Sequence, residues 1–152
     1  MSPVFIKNIS SDSRVKLSSL KKLAQKILKD FEEKGDLNII LVSDSFMRRL
    51  NQRFTSRKGT TDVLSFSFKE DKNTKTKRSL LGEVYISVNR ARKQAHDYQA
   101  TLDQELKRLV AHGILHLLGH EHKTKKDLEK MRKKEEGYIG SHSIKEGSDR
   151  YS

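Results

Sequence analysis

The 152-residue chain contains no cysteine. Disulfides and thiolate metal sites are therefore excluded, while the absence says nothing about compartment. Apolar residues are also few, at 34% with a mean hydropathy of −0.78, so any core must be economical. The longest apolar runs, residues 37–42 and 109–118, fall far short of the roughly 20 residues that span a membrane. The opening Met-Ser-Pro-Val-Phe-Ile-Lys lacks a basic stretch followed by a long apolar one, so no signal peptide is expected. A cytoplasmic protein without a membrane partner is the expectation. At this length one domain is expected over residues 1–140, able to bury about 68–70% of its unfolded surface without staples. A loose polar tail is expected over residues 141–152.

Positive charge is what the chain has in excess. Thirty-two Lys and Arg oppose 20 Asp and Glu, giving +12 and a pI near 9.9. Such an imbalance points to a polyanionic partner, most commonly nucleic acid. A soluble surface rich in Lys and Glu, of the thermophile kind, produces the same pI. The charged runs at residues 69–78 and 123–134 are the surfaces expected to meet a nucleic acid electrostatically; each is otherwise a solvated face.

Periodicity supplies the fold class. Residues 4–7 read as a short strand. Leu20, Leu23, Ala24, Ile27, Leu28 and Phe31 repeat at helical spacing, and Gly35 is expected to stop that helix. Residues 37–42 form a short, β-branched apolar run, a buried strand. Ser43 and Asp44 offer caps for a helix carrying Phe46, Met47, Leu50 and Phe54. Residues 63–68 alternate with period two, as do residues 82–88, and the polar connection between them suggests an antiparallel pair. Asn89 is expected to cap a helix running to about Gln99. Thr101 with Gln104 forms a capping box that opens a helix apolar on one face and, in its second half, nearly all round, ended by Gly119. A basic helix follows over residues 124–139. The class is α+β: a small mixed four-stranded sheet packed with about five helices, one of them central and buried, with no internal repeat.

That buried helix carries the chemistry. Four of the six histidines fall within His112-Gly-Ile-Leu-His116-Leu-Leu-Gly119-His120-Glu121-His122. His112 and His116, at i and i+4, share a helix face about 6 Å apart along the axis. His120 would continue the ladder, but it would stand about 12 Å from His112, too far to share an ion at bond lengths of about 2.0–2.1 Å. The third ligand must come from chain that has turned back, and Gly119 permits the turn. His122 is the residue so placed. Three imidazoles with an open fourth position favour one Zn²⁺ held by His112, His116 and His122, in a metzincin-like site. The spacing His-x3-His-x2-Gly-x2-His is that of metzincin proteases, but Gly113 stands where those enzymes carry their general-base Glu. Metal geometry is kept and proteolytic chemistry is missing. His120 and Glu121 are candidates for contacts to water or to the ligands. Gly113 itself either leaves room for the metal and the chain passing over it or packs closely on a strand.

The sequence resembles the YbeY family of rRNA-maturation metallo-endoribonucleases. The histidine segment is close to the family's His-Gly-x-Leu-His-Leu-x-Gly-His-Asp-His. Thr61-Asp62-Val63-Leu64-Ser65-Phe66 looks like its Thr-Asp-Val-Leu-Ser-Phe, and Leu81-Gly82-Glu83-Val84-Tyr85-Ile86 is similar to its Leu-Gly-Asp-Ile-x-Ile. Leu50, Asn51, Met131 and Glu135 also fall where the family pattern puts them, so the resemblance covers roughly residues 37–140. It implies a zinc-dependent, single-strand-specific endoribonuclease of the cytoplasm, one that matures the 3′ end of 16S rRNA and takes part in ribosome quality control. Its partners would be RNA and the small ribosomal subunit, and its zinc ligands His112, His116 and His122. The family's active-site Arg falls on Thr55 and its Pro on Thr60. Arg57, in the turn before residue 61, has the reach to replace the missing guanidinium.

Three neutral imidazoles leave the ion its positive charge, to polarise a phosphodiester oxygen and acidify water. The nucleophile is that water or the RNA's 2′-OH; His120, Glu121 or a residue of the 56–62 loop is the base. A ribosome-assembly or RNA-binding protein with structural zinc is the alternative, disfavoured because structural zinc is usually closed by four ligands. A divergent peptidase is weakened by Gly113 and by the charge.

Overall fold

The computed structural model describes residues 3–55, 59–68, 80–119 and 124–139. In chain order these form β1 (Val4–Asn8), α1 (Leu17–Asp30), β2 (Asp36–Val42), α2 (Asp44–Thr55), β3 (Val63–Ser67), β4 (Leu80–Ser87), α3 (Val88–Asp97), α4 (Leu102–Leu117) and α5 (Lys125–Ile139). The strands make one mixed sheet in the order β1-β2-β4-β3. β1 and β4 run parallel to β2, and β3 runs antiparallel to β4. The α+β reading and the antiparallel pair are borne out, and β3 is an edge strand. No described helix is long and apolar enough to cross a membrane.

Alternation along the strands decides which side is covered. Leu37, Ile39 and Leu41 of β2 and Val84 and Ile86 of β4 are fully buried in one core with Leu20, Leu23, Ile27 and Leu28 of α1. Leu106, Leu109, Val110 and Ile114 of α4 complete it. Each such side chain contributes about 1.5–3 kcal/mol relative to exposure. α4 packs on α1, α3, α5, β3 and β4, so it needs apolar residues on nearly every side.

The other side of the sheet carries two rows read from the strand register: Phe5, Asn38, Glu83 and Phe66, then Lys7, Ile40, Tyr85 and Leu64. α2 covers part of it, with Phe46 stacked on Tyr85 at 6.4 Å and Phe54 edge-on to Phe66 at 5.3 Å. Leu64 and Phe66 of β3 thus face away from α4, and Val63 and Ser65 face towards it.

Two expectations about element ends fail. α1 stops at Asp30, and Glu32, not Gly35, takes the left-handed conformation, at φ +54°. The Phe31 amide donates back to Ile27 O, which closes the last turn before Gly35 is reached. α3 is capped by Ser87, whose Oγ accepts from the Arg90 amide. Asn89 lies inside α3 and its Oδ1 instead accepts from the Asp44 amide at 2.7 Å, serving the start of α2. Ser43 is confirmed as a cap of α2 through its bond from the Phe46 amide.

Candidate active site on the α4 histidine stripe

α4 is set at both ends by its sequence. Its capping box is complete: Thr101 Oγ1 accepts from the Gln104 amide at 3.0 Å and Gln104 Oε1 accepts from the Thr101 amide at 2.9 Å. At the other end Gly119 adopts φ +94°, where a side chain would be strained, and its amide closes onto His116 O. The turn expected at Gly119 is present.

Between these ends, His112 and His116 stand one turn apart with ring centroids 5.0 Å apart and planes inclined by 57°. Both are half-buried, although Ala111, Gly113, Ile114 and Leu115 around them are buried. The residue that orients His112 comes from α5. Glu135, 0% exposed, places Oε1 2.5 Å from His112 Nδ1. A buried carboxylate is costly unless paired. With Nδ1–H donating to Glu135, the ring's lone pair resides on Nε2, the nitrogen turned away from the carboxylate. Met131, one turn earlier on α5, is also buried and anchors that helix.

Gly113 is explained by the strands. A Cβ there would lie 2.6 Å from Val84 Cγ1 and 3.3 Å from both Val63 Cγ2 and Ser65 Oγ. Ser65 Oγ also donates to Gly113 O at 3.1 Å. The histidine helix therefore rests directly on β3 and β4, and a glutamate at 113 has no room.

One turn before His112, the stripe continues in Arg108, which is buried and donates to Glu105 Oε2 at 2.7 Å and to Gln94 Oε1 at 3.3 Å. Gln94 in turn donates to Asp62 Oδ2 at 3.2 Å. These groups tie the start of β3 to α3 and α4. Nearby, Asp44 Oδ1 accepts from Thr60 Oγ1 at 2.7 Å and from Ser87 Oγ at 3.2 Å, joining α2, β4 and the segment leading into β3.

The expected ligand His122, the expected catalytic residues His120, Glu121 and Arg57, and the basic run at residues 69–78 all lie outside the described residues. Among the described residues, no three His, Cys, Asp or Glu side chains are gathered closely enough to hold a metal. The basic run of α5 is described, and Lys125, Lys126, Lys130, Lys133 and Lys134 are exposed. The resemblance placed Glu135 in the family pattern but sequence reasoning gave it no role; an acid in a basic amphipathic helix carries no local signal that it will pair across to another helix.

A family model described as Endoribonuclease YbeY matches residues 5–142. The chain belongs to the YbeY family. A curated relative from Desulforamulus reducens, named Endoribonuclease YbeY, is 33% identical over 90% of this chain and 94% of its own length. One of the same name from Desulfitobacterium hafniense is 40% identical over 70% of this chain and 71% of its own. The solution structure of a Thermotoga maritima protein is similar with a TM-score of 0.62, at 29% identity, covering 97% of this chain and 99% of that one.

The two threonines that the sequence resemblance set against a family arginine and proline have local roles. Thr55 ends α2, and its hydroxyl lies within hydrogen-bond distance of Asn51 O at 2.5 Å and Asn51 Oδ1 at 2.8 Å. Thr60 donates its hydroxyl to Asp44 Oδ1, a bond that proline could not make.

Proposed function

We propose that this YbeY-family chain is a zinc-dependent endoribonuclease that cuts single-stranded RNA. By the same reading it matures the 3′ end of 16S rRNA, serves ribosome quality control, works in the cytoplasm and meets the small ribosomal subunit. The observation that carries it is the Glu135–His112 pair. It engages Nδ1 of His112, whose ring lies 5.0 Å from that of His116, and a carboxylate partner of this kind is the preparation a metal-ligating histidine requires. The donor set fits zinc: neutral imidazoles, and no cysteine in the chain. His112, His116 and His122 would hold the ion. α5 packs on α4 after a seven-residue connection, 118–124, and its Glu135 reaches back to His112; both support His122, within that connection, as the third ligand.

When bound, zinc supplies positive charge to a phosphodiester oxygen and acidifies a neighbouring water or hydroxyl. The chain's own residues do the rest. Glu135 fixes the His112 ring. His120 or Glu121 accepts the nucleophile's proton, whether from water or from the 2′-OH. Arg57 meets the charge developing on the non-bridging oxygens, where a guanidinium offers two parallel hydrogen bonds.

The test is zinc content together with single-turnover RNA cleavage, with folding followed by circular dichroism. His116→Ala and His122→Ala should bind zinc substoichiometrically and lose cleavage, while His120→Ala keeps most of its zinc. Arg57→Ala should keep its zinc and cleave about tenfold more slowly, equivalent to ~1.4 kcal/mol. Cleavage that survives loss of zinc would sink the reading. A parent protein that holds zinc and binds RNA yet cuts none would favour the ribosome-assembly alternative.

A further inference from the structure

We propose that Phe54, with Arg53 lying over its ring, is a base-stacking anchor that holds one unpaired nucleotide of the RNA next to the histidine stripe. The proposal rests on the RNA-cleavage reading.

Phe54 is 58% exposed at the end of α2, and Phe68 just beyond β3 is 47% exposed. Single exposed rings are ordinary, but Phe54 belongs to a connected set. Phe46 stacks on Tyr85, Tyr85 meets Phe66 edge-on at 5.8 Å, and Phe66 meets Phe54 edge-on at 5.3 Å. Those contacts orient the Phe54 ring without burying it, so ordering it on binding costs little entropy.

Two cations accompany the rings. The guanidinium carbon of Arg53 is 5.6 Å from the Phe54 centroid and that of Arg49 is 5.9 Å from the Phe46 centroid. Both arginines are exposed, and among the described residues neither is in an ion pair. Rings that can take base faces, interleaved with cations that can take phosphates, are the two components of a single-strand nucleic-acid platform. The chain's charge of +12 has the sign such a ligand needs.

Position links the platform to the candidate site. β3 is one strand thick at the sheet edge. Its Ser65 bonds to Gly113 of the histidine helix on one side, and its next residue, Phe66, touches Phe54 on the other. RNA passing over that edge meets both. The middle of the open face is unsuited to a phosphate chain, because Glu83 sits opposite Phe66 and bonds to Tyr85 Oη at 3.1 Å and Asn38 Nδ2 at 3.4 Å. Burial, then the Glu83 charge, pushes the Tyr85 phenol pKa up, so Tyr85 stays neutral and does not add a second anion. Repulsion from Glu83 directs the RNA along the α2–β3 edge.

The chain has no tryptophan, so Phe54→Trp provides one fluorescent reporter without background. Binding of a short single-stranded oligoribonucleotide would be measured in a His116→Ala background, which prevents cleavage during titration. The Phe54→Trp variant should bind like its parent and its emission should be quenched as RNA is added. Phe54→Ala and Phe54→Leu should each weaken binding about five- to hundredfold, with zinc content in the otherwise native chain unchanged. If RNA binds, but without quenching and with equal affinity in the Ala variant, the anchor is wrong and the cleavage reading stands. If Phe54→Ala alters only self-association measured by sedimentation, the patch joins copies of the chain and the proposal fails. If the native chain neither binds nor cuts RNA, both fail.

Discussion

The covered and open faces of the sheet are made by the same short strands, yet they are built to different standards. On the covered side Ile39 and Val84 are fully buried beneath helices, and even a methyl group at Gly113 would collide with Val84. On the open side Phe5 is 53% exposed, and Tyr85 and Phe66 are held mainly by other rings. A close-packed face can fix a side chain's direction, as Glu135 fixes His112. An aromatic face can accept a flexible partner. The candidate chemistry lies where the two meet, at β3, with the rigid part beneath and the adaptable part above.

The difference is broken most severely by Ile39→Ala, expected to cost about 2–5 kcal/mol through the cavity it leaves and measured by urea unfolding. A loss under 1 kcal/mol would mean that the covered face can collapse around a void. At the site itself, Glu135→Ala should weaken zinc binding about 10–100-fold in chelator competition, with Glu135→Gln losing less because its amide oxygen can still accept from Nδ1–H. Equal affinities in all three proteins would detach Glu135 from the metal. Gly113→Ala follows. Helix propensity alone would favour alanine by about 1 kcal/mol, whereas overpacking against Val84 should reverse the sign and destabilise by about 1–3 kcal/mol. Adding Val84→Ala should recover part of that loss in a double-mutant cycle. The smallest effect belongs to Phe5→Ala, within about 0.5 kcal/mol of the parent; a larger loss would show that the open face bears on stability as well.

Much of this architecture was legible in the sequence because its causes are local. The Thr101–Gln104 box, the apolar girth of α4, the turn at Gly119 and the antiparallel β3–β4 pair all follow from spacing over a few residues. The misreadings share a different cause. Glycine at 35 was the natural helix stop, but the turn closed three residues earlier on Glu32. Asn89 was a good cap for its own helix, but tertiary structure assigned it to α2 and left the task to Ser87. At β3, alternation gave two faces without saying which would meet α4; that was decided by the fit of Gly113 between Val63, Ser65 and Val84. In the candidate site the two helical histidines were readable from their spacing, and the Glu135 partner, 23 residues further on, was not.

The strand order also dictates when the molecule can become an enzyme. β4 lies between β2 and β3, so a chain emerging from the ribosome makes both flanking strands before the one that joins them. α4 needs β3 and β4 as its floor, and His112 waits for Glu135, near the end of the described chain. Contacts this distant in sequence close slowly. The nascent chain therefore cannot pair His112 until residue 135 has been made, so this part of the candidate site is assembled only after both strands beneath α4 are in place.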